Sequence, residues 1–101
     1  MSQAPPTNKV ELNKNIASIQ IAPNPCSHIM TISISPNNPT VLSVLVMDEL
    51  GKQVSKIYSG LISPGAHSFD WIIGGQIPNG CYECIIQMNN ISVALPVILS
   101  R

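Results

Sequence analysis

The chain has 101 residues, five basic and five acidic, giving a formal net charge of zero; 10% of residues are charged and 45% hydrophobic. That length suits one domain around a single core. The balanced charge leaves no basic field to hold nucleic acid or anionic lipid, and no apolar run approaches the roughly 18 residues of a membrane-spanning helix. Charged residues fall well below the usual quarter or so of a soluble domain. The surface therefore has to be built from Ser, Asn, Gln, Thr and exposed apolar groups, which points to a partner or to a risk of aggregation.

Residues 1–15 carry paired prolines, polar residues and no hydrophobic period, and read as a flexible linker. Met1 to Lys9 has no apolar h-region, so it does not read as a signal peptide. From Ile16 onward the pattern is β. Ile19 and Ile21 alternate, and Pro23-Asn24-Pro25 then ends the strand, since neither proline can donate to a ladder. Ile29 to Ile34 alternates, with Met30, Ile32 and Ile34 on one face. After the turn Pro36-Asn37-Asn38-Pro39, Val41 to Met47 places Leu42, Val44 and Val46 inward and Val41, Leu45 and Met47 outward.

Asp48-Glu49-Leu50-Gly51 is the strongest hairpin signal, because Gly51 can take the left-handed conformation. Gln53 to Tyr58 is the return strand, and Gly60, Pro64 and Gly65 punctuate a loop before His67 to Trp71. Gly74-Gly75 and Pro78-Asn79-Gly80 bracket a further connection. Cys81 to Met88 follows, with Tyr82, Cys84, Ile86 and Met88 sharing a face. Asn89-Asn90 turns the chain into a last strand, Ile91 to Leu99, where Pro96 requires an edge position or a break. About seven short strands with turn signals roughly every ten residues predict an all-β, immunoglobulin-like antiparallel β-sandwich over residues 16–101. Trp71 is the natural centrepiece between its sheets.

Chemistry-bearing residues are few. Cys81-Tyr82-Glu83-Cys84 has redox-motif spacing, but on a strand residues three apart point to opposite faces, roughly 10 Å apart. Cys84 is then a core residue and Cys81 faces outward. Cys26, His28, Cys81 and Cys84 are four conceivable zinc ligands, yet such sites usually take two cysteines from one knuckle turn. A disulfide from Cys26 to Cys81 or to Cys84 stays open at this point. His67 and Asp70 face opposite ways on one strand, and no serine sits in a Gly-x-Ser-x-Gly turn. Asp48-Glu49 is most simply a solvated turn. Neither an enzyme nor a cofactor or metal site is expected. The outward Val41, Leu45 and Met47 are a candidate docking face, and an unpaired last strand offers self-association or β-augmentation.

Several of these features share one frame. A short strand ends in Pro23-Asn24-Pro25, and an alternating strand spans Ile29 to Ile34. Val44 to Gly51 ends in an acidic residue and a glycine turn, with Lys52-Gln53-Val54 after it. Pro64-Gly65 and Trp71 follow, then Pro78-Asn79-Gly80-Cys81-Tyr82, and an apolar strand runs to Val97-Ile98-Leu99-Ser100-Arg101. In order and spacing, residues 17–101 resemble the C-terminal sorting domain (type A) of proteins exported by the type IX secretion system of Bacteroidota. A related immunoglobulin-like module occurs in the flagellar hook-capping protein. The sequence departs from the family at Leu95-Pro96, where basic residues are usual, and at Cys26-Ser27-His28.

The resemblance implies a C-terminal signal domain that takes a parent protein through the periplasm and across the outer membrane, and is then cleaved. The parent would end at the cell surface or outside the cell. Implied partners are the outer-membrane translocon, a sortase-like protease and N-terminal cargo domains. Such a parent needs an N-terminal signal, so the chain is expected to be a fragment. Translocon recognition is expected at Pro78, Asn79, Gly80, Val97, Ile98, Leu99, Ser100 and Arg101. Pro23, Asn24, Pro25, Gly51, Trp71 and Tyr82 are expected to be structural. The alternative is an immunoglobulin-like binding or assembly module of a surface or scaffold protein.

Overall fold

Alternating apolar residues make a strand only when a second apolar face is there to cover them, and this chain supplies two such faces. The computed structural model describes residues 8–11, 17–89 and 91–101. Its strands are β1 (Asn8–Glu11), β2 (Ala17–Ala22), β3 (Ile29–Pro36), β4 (Thr40–Met47), β5 (Gln53–Ile62), β6 (His67–Ile72), β7 (Gly80–Met88) and β8 (Ile91–Leu99). They form two four-stranded sheets, ordered β1-β2-β3-β6 and β5-β4-β7-β8, in which every named pair is antiparallel. The chain crosses between sheets after β3, β5 and β6, which is the Greek-key course of an immunoglobulin-like sandwich.

Between the sheets, Ile19, Ile21, Met30, Ile32 and Ile34 of the first meet Leu42, Val44, Val46, Cys84, Ile86 and Val97 of the second, all buried. Each such aliphatic side chain contributes about 1.5–3 kcal/mol on burial. Trp71 is buried as expected, and its ring meets Tyr82 of the opposite sheet edge-on at 6.1 Å between centroids. The expected inward and outward sets on β3, β4 and β7 are all observed.

The structure adds three features to the sequence reading. Asn8–Glu11, inside the segment read as linker, pairs with Ser18 to Ile21 as an edge strand. Residues 1–7 and 12–16, which complete that segment and include the expected domain start at Ile16, lie outside the described residues, as does Asn90 of the last turn. The return strand runs to Ile62 rather than Tyr58. Gly60 sits in the ladder opposite Leu42, and the Tyr58 ring folds over the space where a Cβ would stand. Finally, β5 carries two irregularities, opposite Val44/Leu45 and Val46/Met47, which turn both Val54 and Ile57 toward the core.

At the tip of the β4–β5 hairpin Gly51 has φ of 81°, and the Asp48 carboxylate accepts from the Leu50 and Lys52 amides at 2.9 Å. Asp48 is thus a turn-forming residue.

Candidate functional site

β2 stops at Ala22, and the chain then leaves its sheet through Pro23-Asn24-Pro25, both of whose X–Pro bonds are cis. It reaches the far edge of the other sheet, where Cys26 forms a parallel bridge with Leu99 of β8. The opening motif and the final strand, some seventy residues apart in sequence, are therefore neighbours.

Asn24 makes the junction. Its Nδ2 donates to the Pro96 carbonyl at 2.8 Å, and its Oδ1 accepts from the Ile98 amide at 2.9 Å. Next along the same edge, Cys26 N–H donates to the Ile98 carbonyl at 2.8 Å and Ser100 N–H donates to the Cys26 carbonyl at 2.9 Å. The Cys26 thiol adds a weak bond to the Ile98 carbonyl at 3.5 Å. The free edge of β8 is thereby occupied from Pro96 to Ser100, which corrects the expectation that this part of the last strand stands open for β-augmentation.

This arrangement also explains Pro96. β8 is an edge strand and continues unbroken through the proline. Backbone groups of Ile98 face the outer edge, so by alternation those of Pro96 do too. Its missing N–H therefore removes no bond to β7.

A second asparagine holds the end of the chain. Asn79 Oδ1 accepts from the Arg101 amide at 3.1 Å, and Asn79 Nδ2 donates to the Arg101 carbonyl at 3.3 Å. The Arg101 guanidinium donates to the carbonyls of Gly74, at 3.1 Å, and Ile77. The Tyr82 hydroxyl donates to the Pro78 carbonyl four residues upstream, as in the tyrosine corner of related sandwiches. Pro78, Asn79, Gly80 and Arg101 thus form one end of the molecule, together with Pro23 to Cys26.

The expected recognition residues do not all offer side chains. Val97 and Leu99 are core residues, 0% and 2% exposed, whereas Ile98 is 46% exposed and Ser100 and Arg101 also face solvent. Pro78 and Asn79 are exposed and Gly80 half-buried. The carbonyls of Gly74 and Ile77 that receive Arg101 had no signature in the sequence, because any residue has a carbonyl. Asn24 was marked as structural, but its twofold bond to β8 could not be inferred from a motif read one strand at a time.

Beside this end lies an open cavity of about 390 Å³. It is lined by the hairpin residues Asp48, Glu49 and Leu50 together with Val54 and Ile77 to Tyr82. The Asp48 carboxylate on this wall is committed to its turn.

The cysteines are reduced and separate. Cys26 and Cys84 are buried and Cys81 is exposed. Burial pushes the Cys84 thiol up to about 12. The Cys26 thiol is also raised by burial, against the opposing pull of its backbone hydrogen bond and of the Arg101 charge. Since Cys26 bridges Leu99 and Leu99 pairs with Gly80, β8 stands between Cys26 and the Cys81–Cys84 run. Two strand spacings make roughly 10 Å, beyond the ~7 Å Cα limit for a disulfide. The structure therefore does not bring Cys26 to Cys81 or Cys84.

Among the described residues no three His, Cys, Asp or Glu side chains converge on a metal position. His67 Nε2 lies 2.7 Å from the Ser63 carbonyl, while Asp70 accepts from the Thr31 hydroxyl at 2.8 Å, so the two engage different neighbours.

Comparison with known proteins returns no matching family model and no matching curated relative.

Proposed function

We propose that this domain is a folded sorting signal of the type IX kind. It would carry a parent protein through the periplasm to the outer-membrane translocon and would be removed there by a sortase-like protease. The parent would end at the cell surface or in the medium. The observation that supports this reading is the junction of Asn24 with Pro96 and Ile98, extended by that of Asn79 with Arg101. The opening motif and the end of the chain, two of the regions on which the resemblance rests, are thereby held side by side, with Ile98, Ser100 and Arg101 exposed. Recognition on this reading is by a folded shape and does not require catalysis or a cofactor.

A secretion assay tests it. The whole chain is fused behind a signal peptide and a fluorescent passenger in a Bacteroidota host with a working type IX system. The passenger is expected outside the outer membrane, and Ile98→Asn with Arg101→Ala is expected to hold it in the periplasm while the domain stays folded. Passenger retained by the unmodified chain would overturn the reading.

The second reading, an immunoglobulin-like binding or assembly module, is favoured by the exposed apolar residues Val41, Leu61 and Ile98 on the outer face of the β5-β4-β7-β8 sheet. Retention of the unmodified chain in that assay, with the domain folded, is the result it expects.

A further inference from the structure

Among the described residues, no strand or loop packs over the outer face of the β5-β4-β7-β8 sheet. Val41 on β4 and its partner Leu61 on β5 are 60% and 68% exposed. Leu45 pairs with Ile85 on β7, and Ile85 with Ala94 on β8. Met47 lies opposite Glu83, which lies opposite Pro96, and Ile98 completes the far corner. Over all four strands the charged residues are two, Lys56 and Glu83. Lys56 stands opposite Leu45 on the β5 side, Glu83 opposite Met47 on the β7 side, and both are exposed.

We propose that this face is the interface of a twofold homodimer. Four strands at ~4.8 Å and about eight residues at ~3.3 Å give roughly 500 Å² in projection, and more once side-chain relief is counted. A specific interface takes about 600–1,000 Å² from each partner, so the face sits at the low end, where weak and reversible pairs fall. Its charge pattern then selects a second copy of this chain over a partner of one charge sign. A twofold axis lying in the face between Lys56 and Glu83 runs past Leu45, Met47 and Ile85. It packs those apolar residues against their own copies and carries each Lys56 to the Glu83 of the other protomer. One positive and one negative group, set on either side of an apolar centre, are self-complementary under that operation. The inference is independent of the sorting reading.

Sedimentation velocity on the full chain over a concentration series tests it. The expected result is a reversible monomer–dimer equilibrium. Lys56→Glu or Glu83→Lys alone places like charges together and should weaken association by about tenfold or more, while the double reversal restores it. Both positions are exposed, so thermal melts of all variants should match at concentrations low enough for the chain to be monomeric. A chain monomeric throughout the series overturns the proposal. So does a dimer that neither single reversal weakens, which would point to pairing through an edge strand, or a loss that the double reversal fails to rescue.

Discussion

An asparagine side chain carries one carbonyl and one amide, the same pair of groups that a peptide unit presents to a neighbouring strand. Asn24 uses both on β8, and Asn79 uses both on Arg101, so two side chains complete pairing where no further strand is available. Aspartate at position 24 would keep the acceptor for Ile98 but would set a carboxylate against the Pro96 carbonyl. Alanine would keep neither bond. Since both groups on β8 are solvent-accessible, water replaces part of what Asn24→Ala removes, and the cost should be about 1–2 kcal/mol. In a domain of this size that lowers the melting temperature by roughly 4–16 °C. Hydrogen exchange locates the effect: the Ile98 amide should lose its protection while the amides of Val97 and Leu99, which face β7, keep theirs. Unchanged protection at Ile98 would show that Asn24 does not hold the strand in solution.

At the scale of the strands, alternation made β3, β4, β7 and β8 legible, because each has one face in the core and a period of two. The bounds of β8 were legible for the same reason, with Asn89 at φ 53° marking the turn before it. Asn8–Glu11 has no such pattern, and an edge strand held by backbone bonds to β2 needs none. The extra residues in β5 broke the period, so Val54 and Ile57 could not both be assigned inward from spacing alone. The candidate site was legible as two separate motifs, but not their contact, because the crossing of residues 23–26 to β8 belongs to topology rather than to local sequence. That topology also changes how the tail should be tested. Removing residues 97–101 takes away Val97 and Leu99, each worth about 1.5–3 kcal/mol of burial, along with their ladder bonds. Against a total stability of about 5–15 kcal/mol, the truncated chain should be largely unfolded or close to it. Its Trp71 emission should shift to the red, whereas Ile98→Ser, which alters an outward side chain, should leave the emission and melt nearly unchanged. A truncated chain with native emission would mean that β8 contributes little to the core.

For the molecule as a whole few residues are charged, and the buried thiols carry a pH dependence on the alkaline side. Cys84 ionises near 9.0 in an unfolded chain and near 12 in the fold, because burial disfavours the thiolate. Above pH 9 the folded state therefore holds a proton that the unfolded state has released. Stability from this source is fully present below pH 9 and is lost progressively as pH rises from there toward 12. Cys26 acts in the same direction, since its thiol is also raised. Melting temperature should accordingly stay level from pH 7 to pH 8.5 and fall above pH 9. The contribution of Cys84 is read by difference. Cys84→Val keeps an apolar side chain of similar volume in the core and removes the titrating group. Its melting temperature should fall less steeply above pH 9 than that of the unsubstituted protein, even if its value at pH 7 differs. Parallel curves for the two proteins would mean that the Cys84 site admits enough water to ionise as readily in the fold as in the unfolded chain.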